Sequence, residues 1–394
     1  MPVDPPRLIL VTPYFWPSVG REARYAVRLV ERLPAAGWPV AVVTTRWHDR
    51  WPRRIVFREM PVTRLDPPPH DRWRRWRLLR GVRRWLRENV RPDDVVWVVG
   101  MRHEAVAVLR AVGQRAPVVL YDARGGPQGD CRWQAESREG AAVRRRCLRA
   151  DAIVGASRIV RDELSAAGYP RDQIHRIPPG APVAPPRTRQ HRADARRILA
   201  EAGEPLRVPD WTPVAVYLGR LDADRGLPYL VAAWEPITQR WPNARLWLTG
   251  PGSEREHLSR QLAALRLTGR IQMLGVFEET ETLLAAADVL VHPAEAADPS
   301  LAVVEGLGTG LPVVATDSPG HRAIIRHEEN GLLVPPRDAE ALAAALHRVI
   351  DSPPLANRLG QAGRRWVAAE RSLDRMVEEH VTLLNTLTPR NGEG

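Results

Sequence analysis

Two stretches in the second half of the chain hold the residues best suited to chemistry. The first is Gly219–Gly226, GRLDADRG, which leaves an apolar strand at Val214–Gly219. Its glycines let a backbone approach a ligand, and Arg220 and Arg225 can clamp a diphosphate from both sides. Arginine-rich loops are common in this chain, so position at the carboxyl end of a strand gives this one its weight. The second is His292–Thr316, HPAEAADPSLAVVEGLGTGLPVVAT. It reads as a strand end, an acidic loop, a short helix opening near Leu301, a glycine break at Gly306–Gly310 and a strand Val313–Thr316. Unpaired N–H groups and the dipole at such a helix start favour phosphate. Glu305, one turn inside, either accepts hydrogen bonds from a ribose or sugar hydroxyl pair or is an ordinary solvated helix carboxylate. This stretch alone leaves both readings open.

These loops need a sheet to hold them, and the apolar pattern supplies one. Buried strands at Arg7–Phe15, Pro39–Thr45, Pro61–Asp66, Val95–Gly100, Pro117–Asp122 and Ala152–Ala156 alternate with helices at Gly20–Ala36, Asp71–Val90, His103–Arg115, Arg132–Arg149 and Ser157–Gly168. A short strand at His175–Ile177 ends that half. Residues 178–213 break the rhythm with IPPGAPVAPP, an Arg-rich helical piece and PLRVPDWTP, the best domain boundary in the chain. Alternation restarts at Val214 and continues through strands Ala244–Gly250, Ile271–Gly275, Val289–His292 and Leu332–Val334, with a helical tail from Leu355 to about Leu387. Strands alternating with helices imply parallel sheets covered on both faces. The expected division is 1–183, a linker 184–212, a second domain 213–371, and a C-terminal helix and tail 372–394 that packs back on the first domain.

Composition narrows the class. With 394 residues, 44% hydrophobic and 26% charged, the chain is expected to be a soluble two-domain protein. It has no apolar run of membrane-span length, and MPVDPPRLIL lacks a signal-peptide pattern, so the expectation is cytoplasmic. Cys131 and Cys147 form no ligand cluster or disulfide framework and read as packing residues. All 58 basic residues are arginine, giving a net charge of +12. A GC-rich coding sequence explains that replacement; it does not explain the clustering, which implies an anionic partner. Nucleic-acid motifs are absent, so nucleic acid ranks last among such partners.

Five motifs then carry a resemblance. GRLDADRG, LTGPGSERE, IQMLGVFEETETLLAAADVLVHPA, VVEGLGTGLPVVATDSPG and NGLLVPPRD occur in the order found in the C-terminal domain of the GT-B glycosyltransferases of family 4. TPYFWPSVGREARYAVRLVERLPAAGWPVAVVTT and ADAIVGASRIVRDELSAAGYPRDQIHRIPPGAPV resemble the opening and closing segments of their N-domain. The resemblance covers nearly the whole chain. It implies two doubly wound Rossmann-like domains facing across a cleft, and retaining transfer of a sugar from a nucleotide-sugar donor. It places Arg220 and Arg225 on the diphosphate, Glu305 on the ribose, and the backbone at Leu301, Ala302 and Val303 near phosphate. Gly219 and Gly250 fall on the donor side, and Gly20 in the N-domain faces the leaving diphosphate. No metal or cofactor is expected where arginines stabilise the growing charge.

The chain departs from the family in four places. Arg225 stands where lysine is usual. The first glutamate of the paired-Glu signature falls on Ala297, flanked by Glu295 and Asp298; a one-residue shift lets Asp298 contact the sugar hydroxyls. The usual histidine after the strand at Val118–Tyr121 is replaced by Asp122-Ala123-Arg124-Gly125-Gly126, and His103 one strand earlier is a candidate substitute. Pro179 replaces the asparagine of the interdomain turn.

Asp71–Arg91, DRWRRWRLLRGVRRWLRENVR, carries nine arginines around an apolar stripe of Trp73, Trp76, Leu79, Leu86 and Val90. It is either a surface helix packing its stripe on the sheet or an interfacial helix drawn to an acidic membrane. Trp73, Trp76, Arg74 and Arg75, with Asp122 and Arg124, are placed on the acceptor or membrane side. The expected partners are a nucleotide-sugar and a glycan or lipid-linked acceptor of cell-surface polysaccharide or glycolipid synthesis. Location is expected to be cytoplasmic, on the inner face of the membrane; oligomeric state stays open. The alternatives are a catalytically silent GT-B binding partner and a GT-B nucleotide-sugar epimerase. A pyridoxal-dependent phosphorylase is disfavoured, because the chain has no lysine to anchor that cofactor.

Overall fold

The computed structural model describes residues 5–18, 20–122, 125, 129–277, 279–295 and 299–388. The chain forms two units, one of Met1–Pro179 with Asp374–Gly394 and the other of Gly180–Leu373.

In the first unit the elements run β1 (Leu8–Thr12), α1 (Arg21–Arg32), β2 (Val40–Thr45), β3 (Arg54–Phe57), β4 (Met60–Leu65), α2 (Arg72–Asn89) and β5 (Val95–Val99). They continue as α3 (His103–Val112), β6 (Val118–Asp122), α4 (Asp130–Glu136), α5 (Gly140–Cys147), β7 (Ala152–Gly155), α6 (Arg158–Ala166) and β8 (Ile174–Arg176). The sheet order is β3-β4-β2-β1-β5-β6-β7-β8, parallel apart from the β3–β4 pair. Every residue of β1, LILVT, is buried, as expected where helices cover both faces. The order reverses between β1 and β5, so the loops after those strands flank a switch point.

Three sequence expectations change here. The β3–β4 hairpin was not anticipated, because its turn residues Arg58 and Glu59 hold φ of 45° and 70° without the glycine or asparagine that signals such a turn. The expected helix 132–149 is two helices. A Cβ on Gly140 would lie 2.0 Å from the Gln134 carbonyl oxygen, so α5 starts tight against the backbone of α4. The apolar stripe of α2 is Leu78, Leu79, Val82 and Leu86; Trp73 and Trp76 stand outside it.

In the second unit α7 (Arg189–Ala202) leads into β9 (Val214–Leu218), α8 (Leu227–Arg240), β10 (Arg245–Thr249), α9 (Arg255–Ala264), β11 (Ile271–Gly275), α10 (Glu281–Ala286) and β12 (Val289–His292). Then come α11 (Leu301–Gly308), β13 (Val313–Thr316), α12 (Pro319–Arg322), β14 (Leu332–Val334), α13 (Ala339–Asp351) and α14 (Pro353–Glu370), after which α15 (Leu373–Leu387) belongs, from Asp374 on, to the first unit. The sheet is wholly parallel in the order β11-β10-β9-β12-β13-β14 and reverses between β9 and β12. Both chemistry-bearing loops therefore leave the two strands at the switch point.

Segment 184–212, read from sequence as a linker, contains α7. Buried Arg196 donates to the carbonyls of Ala286 (3.0 Å) and Thr212 (3.0 Å) and to Asp288 Oδ2 (2.9 Å), which also accepts from Val214 N (2.9 Å). One guanidinium thus satisfies the loop ends beneath the sheet. Gly306 does not break α11. It sits inside the helix, where a Cβ would meet Leu290 Cδ2 at 2.6 Å; the turn comes at Gly310, with φ +72°. On the first unit, α15 is fixed by His380, fully buried against Trp97 and Tyr25. Its Nδ1–H donates to the Met376 carbonyl at 2.6 Å, so Nε2 accepts from the Tyr25 hydroxyl at 2.7 Å.

Burial pushes His380 and His321, one in each unit, down to about 4 from 6.5. The unfolded chain binds protons that the folded chain refuses across that interval. Stability is therefore complete above about pH 6.5 and falls towards pH 4, by up to roughly 3 kcal/mol per histidine. Urea unfolding between pH 7 and 4.5 should show both units weakening. His380→Gln should remove the first unit's share of the slope, and pH-independent midpoints would contradict the assignment.

Glycines also decide how the loops of the second unit meet. A Cβ on Gly250, at φ +128°, would fall 2.0 Å from the Gly219 carbonyl oxygen, and one on Gly252 2.1 Å from that of Leu221. Gly250→Ala or Gly252→Ala should each destabilise this unit by about 2 kcal/mol or more, since backbone has to move. Gly269→Ala, with nothing within 4 Å, should stay within about 0.5 kcal/mol in the same urea titration.

Candidate active site

The carboxyl edge of the second sheet is built from three loops. Gly219 N donates to Thr249 O (3.1 Å) and Leu221 N to Pro251 O (2.8 Å), pairing the loop after β9 with that after β10. Gly226, at φ +69°, would place a Cβ 2.3 Å from Pro293 O, which brings the loop after β12 against the start of α8. At Gly219, Gly226, Gly250 and Gly252 the space freed by the missing side chain is filled by neighbouring protein. Sequence reading assigned Gly219, Gly226 and Gly250 to the ligand side; in the structure Gly226, Gly250 and Gly252 bring loop to loop, and Gly219 makes room for Tyr217.

That arrangement sets out the two arginines. The Tyr217 hydroxyl donates to Arg220 O at 2.7 Å, fixing the backbone, while the Arg220 guanidinium reaches Asp222 at 2.5 Å. Asp222 also accepts from Ser253 N at 3.1 Å. The Arg220 bond first, then the Ser253 amide, hold its carboxyl below the usual carboxylate range. Arg225 pairs with Asp224 at 3.1 Å. Both cations are thus present at the edge with local carboxylates, Asp222 half-buried and Asp224 exposed.

Across the switch point, α11 opens at Ser300 with no side-chain cap, followed by buried Leu301, Ala302 and Val303. Glu305 is only 2% exposed, which removes the solvated alternative and leaves a buried carboxylate behind the helix start. Glu295 is committed to Arg337 at 2.6 Å. Ala297 and Asp298 lie outside the described residues.

The first unit contributes separately. Gly20 is the N-cap of α1, with φ 135° and ψ 175°. Asp122 is buried at the end of β6, where its Oδ2 accepts from the Cys131 thiol at 3.9 Å. Arg124 lies outside the described residues. His103, at the start of α3, meets Glu139 at 3.2 Å and Trp133 edge-on, so it is engaged with α4 and the start of α5. Trp73 and Trp76 stack at 5.0 Å on the open side of α2, 64% and 46% exposed, and Arg80 lies over the Trp76 ring at 5.6 Å. Arg74 sits 3.5 Å from Asp71, the helix cap. Arg75 is half-buried.

Sequence reading missed one group altogether. His292, at the end of β12, lies 3.0 Å from Ser300 Oγ on one side and 3.0 Å from His321 on the other. Its only signal was a polar residue ending an otherwise apolar strand.

Comparison with known proteins accords with this geometry. The family model described as Glycosyl transferase 4-like domain matches residues 22–180, and that of Glycosyl transferases group 1 matches residues 212–352. The lipopolysaccharide core biosynthesis glycosyltransferase LpsE of Rhizobium meliloti is 31% identical over 188 residues, which is 48% of this chain and 54% of that protein. The chain thus spans about half the length of the curated relatives it matches. Among solved structures, sucrose-phosphate synthase from Thermosynechococcus elongatus superposes with a TM-score of 0.74 at 24% identity, covering 97% of this chain and 99% of that one. Anabaena HepE in complex with UDP-glucose gives 0.73 at 18% identity, covering 96% and 100%. These likenesses show the GT-B fold. With the two family models falling in order on its two sheets, the chain belongs to the GT-B glycosyltransferases of the group 1, family 4 type.

Proposed function

We propose that the protein is a retaining glycosyltransferase that moves a sugar from a nucleotide-sugar to a glycan or lipid-linked acceptor in cell-surface polysaccharide or glycolipid synthesis. One observation carries the reading. Arg220, Arg225, buried Glu305 and the uncapped start of α11 all lie on the loops and helix that flank the β9/β12 switch point. In the reaction the bond from the anomeric carbon to the diphosphate breaks, and the acceptor hydroxyl takes its place, releasing a nucleoside diphosphate and a proton. Negative charge grows on the departing diphosphate, and arginines with helix N–H groups stabilise it without a metal ion. Glu305 holds the ribose hydroxyls. Similarity to LpsE, and the UDP-glucose complex of HepE, support a nucleotide-sugar donor and a saccharide product.

A silent GT-B binding partner is the second reading, favoured by Ala297 in place of the family's first glutamate. With Glu295 tied to Arg337, Asp298 is the nearby carboxylate left to hold the sugar. Asp298→Ala should therefore lower turnover far more than nucleotide affinity. Arg225→Ala should weaken UDP or GDP binding about tenfold to a hundredfold, the scale of a charge-assisted hydrogen bond. Arg225→Lys should keep most activity. Calorimetry with each nucleotide, and mass spectrometry of donor consumption, check these outcomes. Binding with no donor ever consumed would establish the silent partner.

Among the described residues no helix is long and apolar enough to cross a membrane. We place the enzyme on an acidic membrane surface through the exposed Trp73–Trp76 pair and the arginines around it. Each arginine near such a surface contributes about 1 kcal/mol, which salt screens. Vesicles containing phosphatidylserine should sediment the protein at low salt and release it at high salt. Replacing Arg72, Arg74 and Arg77 by Glu should abolish sedimentation without touching turnover on a soluble acceptor. Equal binding to neutral vesicles would refute this placement.

A further inference from the structure

Ser300 is the wrong serine to leave a helix uncapped. Its backbone, at φ −76° and ψ 125°, has the extended form that N-cap residues use, yet its side chain caps nothing. Ser157 and Ser352 do cap their helices, accepting from Val160 N (3.2 Å) and Leu355 N (3.4 Å). At Ser300 the hydroxyl turns inward instead, 3.0 Å from His292 Nε2.

The direction of this chain can be worked out from its far end. His321 Nδ1 lies 2.7 Å from the Thr316 carbonyl, which can only accept, so Nδ1 carries the proton. His321 is fully buried, and burial keeps it neutral, with its lone pair on Nε2. His292 Nδ1, 3.0 Å away, therefore donates to His321. With Nδ1 engaged on His321, buried His292 turns its Nε2 to the Ser300 hydroxyl. The two rings meet nearly at right angles, 4.9 Å apart, with Tyr217 on the other side of His292. Among the described residues nothing else caps the first turn of α11, and its first amide with a partner is that of Val304, bonded to Ser300 O at 3.1 Å.

We propose that His292, oriented by His321, is a positioning residue that turns the Ser300 hydroxyl away from α11 and keeps the Leu301 and Ala302 amides uncapped for the donor's diphosphate. This rests on the donor site proposed above. Without His292 the hydroxyl is released, rotates onto the Ala302 amide and competes with the phosphate for that donor. The effect on affinity is that of one N-cap, a factor of about five, equivalent to about 1 kcal/mol.

The test is a double-mutant cycle read with UDP and with inorganic pyrophosphate by calorimetry, together with backbone hydrogen exchange of residues 299–304. In the free protein His292→Phe should slow exchange in this segment, because the serine now caps the helix. The same variant should bind UDP about fivefold more weakly. Ser300→Ala should bind within twofold of the wild type, since alanine cannot cap. His292→Phe with Ser300→Ala should return to within twofold of wild type, because the competitor is gone. His292→Leu serves if the phenylalanine variant does not fold, judged by hydrogen exchange in the rest of this unit. A double variant as weak as His292→Phe would show the histidines to be core packing and overturn the proposal. So would a fivefold loss in Ser300→Ala alone, which would make the hydroxyl a direct ligand. If the wild type binds neither probe, the donor-site reading itself fails; unchanged exchange in His292→Phe overturns the positioning role independently of any ligand.

Discussion

The carboxyl edge of the second unit depends on backbone meeting backbone with no side chain between. Gly250 against Gly219 O, Gly252 against Leu221 O and Gly226 against Pro293 O leave no room for a Cβ at any of the three contacts. These approaches bring the loops after β9, β10 and β12 into one surface, from which Arg220, Arg225 and the start of α11 are presented. A side chain at any of them would splay the loops before it touched a ligand. The shape of this edge is therefore a packing property of the protein itself.

The electrostatics are arranged for exchange. Arg220 with Asp222 and Arg225 with Asp224 are pairs with one exposed and one half-buried partner each. On the function proposed above, a diphosphate would compete with these carboxylates for the two guanidinium groups. Glu305 is different. Buried in α11, it stands behind the helix start, away from those surface pairs.

Much of this was legible in the sequence because the local rules and the global fold agree. Apolar strands at regular spacing, glycines at strand ends and five ordered motifs gave both sheets, their parallel order and the two switch-point loops. What stayed hidden lacked a local signal. The β3–β4 turn uses Arg58 and Glu59 in a conformation that usually calls for glycine. The break between α4 and α5 follows from one close contact at Gly140. Segment 184–212 reads as a linker by its prolines, whereas Arg196 and Asp288, far apart in sequence, fold its helix into the second unit. Trp73 and Trp76 have the spacing of a packed stripe but stand beyond the part of α2 that covers the sheet. The histidine pair joins residues 292 and 321 through one buried hydrogen bond, which no periodicity reveals.

The same histidines bear on the acidic loop that separates enzyme from silent relative. Its two ends are tied: His292 to Ser300 across the loop at 3.0 Å, and Ala294 O to the Thr316 hydroxyl at 2.5 Å. Glu295 is drawn aside by Arg337. A sugar held by this loop would be held between two fixed posts, and misplacement of reacting atoms by about 1 Å can cost about a hundredfold in rate. A binding partner that only recognised a nucleotide would need the arginines and Glu305, and would have no use for a loop anchored at both ends through buried polar groups. Keeping such groups satisfied in a core is costly wherever they do not serve. The anchoring therefore favours the transferase.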